Sequence, residues 1–200
     1  MKASVASVTI VGIAPMTHSH QHGEPKFEGE THDDYDARTW RSKLNTEVRD
    51  GKQVIVIPAH GFHQMLEAAA RYSKRQIPGQ GKATWTAKFS SGIALMANPI
   101  IAGIDPATVN SVTISANVDG KRGSGKRVLR RFPVIPIGWR STVEVYILDP
   151  IITKSIFEEM LVLAGIYVGL GQFAPRAGGT NGRFRIEKLA WADNRQMMAA

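Results

Sequence analysis

The sequence predicts an α+β fold of ferredoxin-like, RRM-like type: an antiparallel βαββαβ sheet with two helices on one face, plus loop or hairpin insertions. Three observations carry this expectation. An apolar, β-branched run, "VASVTIVGIA", opens the chain at residues 5–14. Two segments with apolar residues at three-and-four spacing lie far apart, near 58–74 and 150–164. Alternating runs, "STVEVYI" and "GRFRIEKL", stand on either side of the second of them. Strand, helix, strands, helix, strand is the ferredoxin-like order, which leaves the far face of the sheet for a ligand.

Size and composition agree. At 200 residues the chain is expected to be a single domain, 1–200, able to bury a core without covalent staples. Cysteine is absent, which excludes disulfides, thiolate metal sites and a thiol nucleophile. No run of eighteen apolar residues or signal-type segment stands out, so a cytoplasmic protein with no membrane association is expected. Lys and Arg number 25 against 17 Asp and Glu, a net charge of +8 that favours polyanionic partners.

The first strand stops at Pro15. Residues 16–40, rich in His, Gly, Asp and Glu, read as a long loop. "RSKLNTEVRDGKQVIVIP" then reads as two strands around Asp50-Gly51, so 16–57 is expected to be an insertion after the first strand. Pro58 opens a helix that puts Phe62, Met65, Leu66, Ala69 and Tyr72 on one face, and Pro78, Gly79 and Gly81 end it. "ATWTAKFSSGIALMANPIIAGI" and "ATVNSVTISANVDG" read as β-rich runs broken by Pro99 and Pro106. "STVEVYILDP" alternates Val143, Val145 and Ile147 with polar positions, as a strand does. Thr153 caps the second helix, which buries Ile156, Met160, Leu163 and Ala164 and is expected to stop at Gly165. The last strand alternates Phe184 and Ile186 with Arg183 and Arg185 and gives way to a polar tail.

Two segments carry the functional signal. The basic segment at 119–131 holds Lys121, Arg122, Lys126, Arg127, Arg130 and Arg131 among Gly and Ser, the composition of a phosphate-contacting loop. The stretch at 164–184 places Gly165, Gly169, Gly171, Gly178, Gly179 and Gly182 among Tyr167, Phe173, Arg176, Arg183 and Arg185. Its spacing matches neither phosphate-loop motif. It offers unobstructed backbone N–H groups, arginines for phosphates, and aromatic rings that stack on bases. Trp85 and Trp139 sit in apolar company and read as core.

A helix, then a glycine-rich loop, then a last strand with Gly-Arg-Phe resembles the RAMP superfamily of CRISPR-associated proteins, most directly over residues 151–189. The resemblance implies an RRM-like core whose loop touches guide RNA. It likens 119–131 to the "thumb" hairpin of backbone-type subunits and 16–57 to their "finger" region. It further implies a non-enzymatic subunit that oligomerises along single-stranded RNA, with other copies of itself head to tail and other effector subunits as partners. On this reading Lys121, Arg122, Lys126, Arg127, Arg130, Arg131, Arg176, Arg183 and Arg185 hold phosphates. Gly169, Gly171, Gly178 and Gly179 let the strand approach, and Phe173 stacks. Single-stranded DNA is not excluded, because phosphate contacts and stacking serve both.

No cofactor or metal is called for. His18, His20 and His22 alternate, with Glu24, His32, Asp33, Asp34 and Asp36 nearby, a pattern able to supply metal ligands but commoner in a His-rich loop. His60 and His63 stand near a helix start. An alternative reading is an endoribonuclease using His18, His20 or His60 as general base. Another is a self-assembling structural protein in which the acidic run 28–36 of one copy meets the basic segment of the next.

Overall fold

The computed structural model describes residues 2–117 and 127–196. Strand β1 (Lys2–Gly12) is followed by β2 (Met16–Thr17), α1 (His32–Thr39) and the hairpin β3 (Thr46–Arg49) and β4 (Lys52–Ile55). Then come α2 (Ala59–Ser73), α3 (Trp85–Ser91) and two short strands, β5 (Ile93–Ala94) and β6 (Ile101–Ala102). A long hairpin, β7 (Asn110–Asn117) and β8 (Arg127–Ile135), leads to β9 (Arg140–Ile147), α4 (Lys154–Leu163) and β10 (Phe184–Gln196).

The main sheet runs β10-β1-β9-β5, with β6 also on β9, and every pairing is antiparallel. The expected second core strand is therefore split into β5 and β6, both on β9, and the βαββαβ order holds around the insertions. Alternation decides the faces. Val8 and Ile10 of β1 and Val143 and Val145 of β9 point into the core, where Phe62, Met65 and Leu66 of α2 and Phe157, Met160 and Leu161 of α4 meet them. Ser7, Thr9, Thr142 and Glu144 pair on the opposite face, where Thr9 and Thr142 hydroxyls lie 3.1 Å apart.

α2 buries the predicted stripe except Tyr72, which lies outside and stacks on Tyr167 with centroids 5.0 Å apart. Thr153 caps α4 by accepting the Ile156 N–H.

Several local expectations are corrected. Trp85–Ser91 is a helix, because Trp85 and Phe89, one turn apart, are both buried in the core. That gain overrides the β-propensity of its Thr, Trp and Phe. α4 does not stop at Gly165 but widens into a π-turn, Ala164–Val168, closed by Gly169 at φ 70°. The first part of the insertion is not one long loop: it contains β2 and α1, whose N-cap Thr31 accepts the Asp34 N–H. No polar tail separates from the last strand before Gln196.

Candidate nucleic-acid interface

The glycine-rich stretch folds back on its own chain. Gly171, at φ 75°, sits where a Cβ would lie 2.4 Å from the Thr17 carbonyl. Gly182, at φ 70°, leaves 1.8 Å to the Leu170 carbonyl. Only glycine fits either position. The stretch is laced to the residues after β1: Gln172 N–H donates to Thr17 O at 2.8 Å, Gly182 N–H to Pro15 O at 2.7 Å, and Thr17 Oγ1 to Gln172 O at 2.6 Å. Much of the space the glycines save is thus taken by neighbouring backbone. Gly169 closes the π-turn, Gly178 caps the turn Pro175–Ala177, and Gly179 backs onto the Phe173 carbonyl.

β2 joins this bend to the basic hairpin. Met16 and Thr17 pair with Ile135 and Val134 of β8, and Phe173 meets Phe132 edge-on at 5.1 Å. The basic segment is therefore in part a strand: Arg127, Leu129 and Arg131 alternate outward, while Arg130 shares a face with Val128 and the buried Phe132. Lys121, Arg122 and Lys126 lie outside the described residues.

Two hollows share a wall here. One, of about 360 Å³, is bounded by His60 and Gln64 of α2, by His20 and Gln21, and by Gly171 and Arg176. The other, of about 570 Å³, runs from His20 and Gln21 to Tyr35 of α1 and to Val128 and Arg130 of β8. His20 and Gln21 line both, so one short stretch of chain borders the hollow at the bend and the hollow at the hairpin. Nothing in the sequence marked Gln21 as lining them.

The other candidates separate. Arg183 holds the bend together, donating to the Ile166 and Thr180 carbonyls at 3.0 and 3.1 Å. Arg185 pairs with Val11 on the open face of the main sheet. Tyr167 stacks on Tyr72. Trp139 and Trp85 are core, and Trp139 donates to Ala14 O.

The histidines have distinct fates. His18 is buried, its Nδ1 accepting the Asn45 N–H at 3.1 Å; burial first, then His20, lowers its pKa to about 4. His20 and His60 are exposed in the groove. Among the described residues no three His, Asp or Glu side chains gather in a geometry that would hold a metal. The acidic run is largely engaged within the chain. Arg38 bonds Glu30 and Glu24, and its hydrogen bonds lower the Glu30 pKa to about 2. Asp36 takes Lys43 and the Arg131 N–H, while Lys43, itself buried, also donates to Arg131 O at 2.7 Å.

No protein-family model and no curated protein matches this chain. Solved structures do. The structure of Type III-B Cmr-beta bound to cognate target RNA matches at TM-score 0.56 and 11% identity, over 96% of this chain and 61% of that one. The Type IV-B CRISPR complex matches at 0.52 and 13%, over 93% of this chain and 90% of that one. The chain shares the fold of these two structures. The chain spans about three fifths of the Cmr-beta chain's length, and at these identities the likeness is one of architecture. No helix among the described residues is long and apolar enough to cross a membrane.

Proposed function

We propose that this chain is a non-enzymatic, RNA-binding subunit of a CRISPR-type ribonucleoprotein, holding single-stranded RNA in the groove between the glycine bend and the β7–β8 hairpin. The observation that carries the reading is that His20 and Gln21 border both hollows, so the glycine bend and the hairpin, separate in sequence, face one stretch of chain. Arg176 at one end and Arg130 at the other supply cations for phosphates. The net charge of +8 and the likeness to a structure bound to target RNA support it. Copies follow one another along the strand, joined by surfaces other than the acidic run, whose Glu30 and Asp36 are already paired.

Fluorescence anisotropy with a labelled 20-nucleotide RNA tests this. Combining Arg176→Glu with Arg130→Glu is expected to weaken binding at least tenfold. The slope of log affinity against log salt should shrink by about 0.7 for each phosphate the variant no longer holds. Unchanged affinity and slope would overturn the reading. An endoribonuclease has one observation in its favour, since exposed His20 and His60 face the same groove as Arg176. RNA shortening that disappears in His20→Ala or His60→Ala would establish it.

A further inference from the structure

On the side of the sheet nearest α4 a second surface combines features unlike those of the groove. β10 is an edge strand: among the described residues it pairs only with β1. Between it and α4 runs a hollow of about 610 Å³ whose apolar lining includes Leu161, Val162, Ile166, Phe184, Ile186 and Leu189. Val162 and Ile166 are 44% and 42% exposed, and Ile13 at the end of the hollow is 46% exposed. Contiguous apolar exposure of this kind marks an interaction site, and an open strand edge is a template for another strand.

We infer that β10 receives an extended peptide segment of a partner protein, one that alternates apolar and acidic residues and adds as a further strand. The register states the partner's chemistry. Ile186 and Leu189 lie opposite Ile10 and Val8 on the helix side, while Arg185 and Lys188 lie opposite Val11 and Thr9 on the open side. A strand laid along this edge sends alternate side chains to the two sides. Its apolar residues enter the hollow against Val162 and Ile166, and the intervening ones meet Arg185 and Lys188. Of the acids here, Glu187 accepts from Arg140 at 2.8 Å, and on α4 exposed Lys154 offsets Glu158, so Arg185 and Lys188 leave the edge cationic. Arg185, given to RNA by sequence, thus serves a polypeptide here. A second copy is a poor occupant: it carries the same charge of +8, and its own β7–β8 edge would bring Arg127, Arg130 and Arg131 against these cations.

The full chain is titrated into a fluorescein-labelled eight-residue peptide alternating Val and Glu, with an alternating Val and Lys peptide as control. The Val-Glu peptide is expected to bind and the Val-Lys peptide not. Val162→Glu and Ile166→Glu, both at exposed positions, each weaken binding at least tenfold and leave RNA affinity unchanged, and Lys188→Glu narrows the preference between the peptides. No binding of the Val-Glu peptide at millimolar concentration, or binding indifferent to Val162→Glu, overturns the inference. Loss of RNA affinity in Val162→Glu would make the hollow part of the RNA path. Self-association abolished by Val162→Glu would make the occupant a second copy. Both results overturn it as well. Peptide binding that persists where RNA binding fails leaves it standing, since it does not depend on the RNA reading.

Discussion

His18 shows how little a residue type says without its surroundings. Its ring is 2% exposed, and the Asn45 N–H fixes Nδ1 as the acceptor, so the neutral form is the one the fold requires. The unfolded chain takes up a proton near pH 6.5 that the folded chain refuses until about pH 4. The stability this neutral histidine contributes is therefore complete above pH 6.5 and declines as pH falls through that window, by about 3 kcal/mol in all. Urea midpoints measured from pH 7.5 to 4 are expected to fall accordingly, and His18→Gln should flatten that part of the profile. Three alternating histidines looked alike in the sequence. Burial, set by β2 pairing with β8 and by Asn45, sets His18 apart from exposed His20, and no local pattern encodes it.

Among the elements, the bend after α4 has the strictest requirements. Gly182→Ala brings a methyl group within 1.8 Å of the Leu170 carbonyl at a positive φ, whereas Gly103, also at positive φ, has nothing within 4 Å. Gly103→Ala is expected to cost about 1 kcal/mol and Gly182→Ala at least ~3 kcal/mol, compared by thermal unfolding. Glycine spacing did announce that backbone comes close here; that the approaching backbone is the chain's own required the fold. Legibility elsewhere followed the strength of local signals. The β3–β4 turn was readable because Asp50 and Gly51 both take positive φ, at 50° and 74°. The burial faces of α2, α4 and β9 were readable from their spacing. α3 was not, since its seven residues follow β-propensity and become helical only through the burial of Trp85 and Phe89. The two halves of the groove could each be found by composition. Their joining through Met16, Thr17 and Phe173 is a tertiary fact.

For the molecule as a whole, the Lys43–Asp36 pair ties the insertion to the basic hairpin, beside the β2–β8 pairing. The side chains of the pair are 10% and 13% exposed, and both also bond the backbone of Arg131. Asp36→Ala leaves a buried ammonium without its counter-ion and is expected to cost about 3 kcal/mol, a melting temperature lower by roughly 6–12 °C. Lys43→Met, which removes the buried charge together with its need for a partner, should cost less. If the two variants melt alike, the pair is not what joins these segments. Connectivity has a further consequence, for the order in which the polypeptide is made. β1 lies between β9 and β10, so that Ser4 faces Ile147 while Val5 faces Ala192. The central strand leaves the ribosome long before either neighbour exists, and both its edges wait unpaired until β9 and then β10 are translated. Assembly of this sheet is a late event, and until then the nascent polypeptide depends on whatever shields the two unpaired edges of β1.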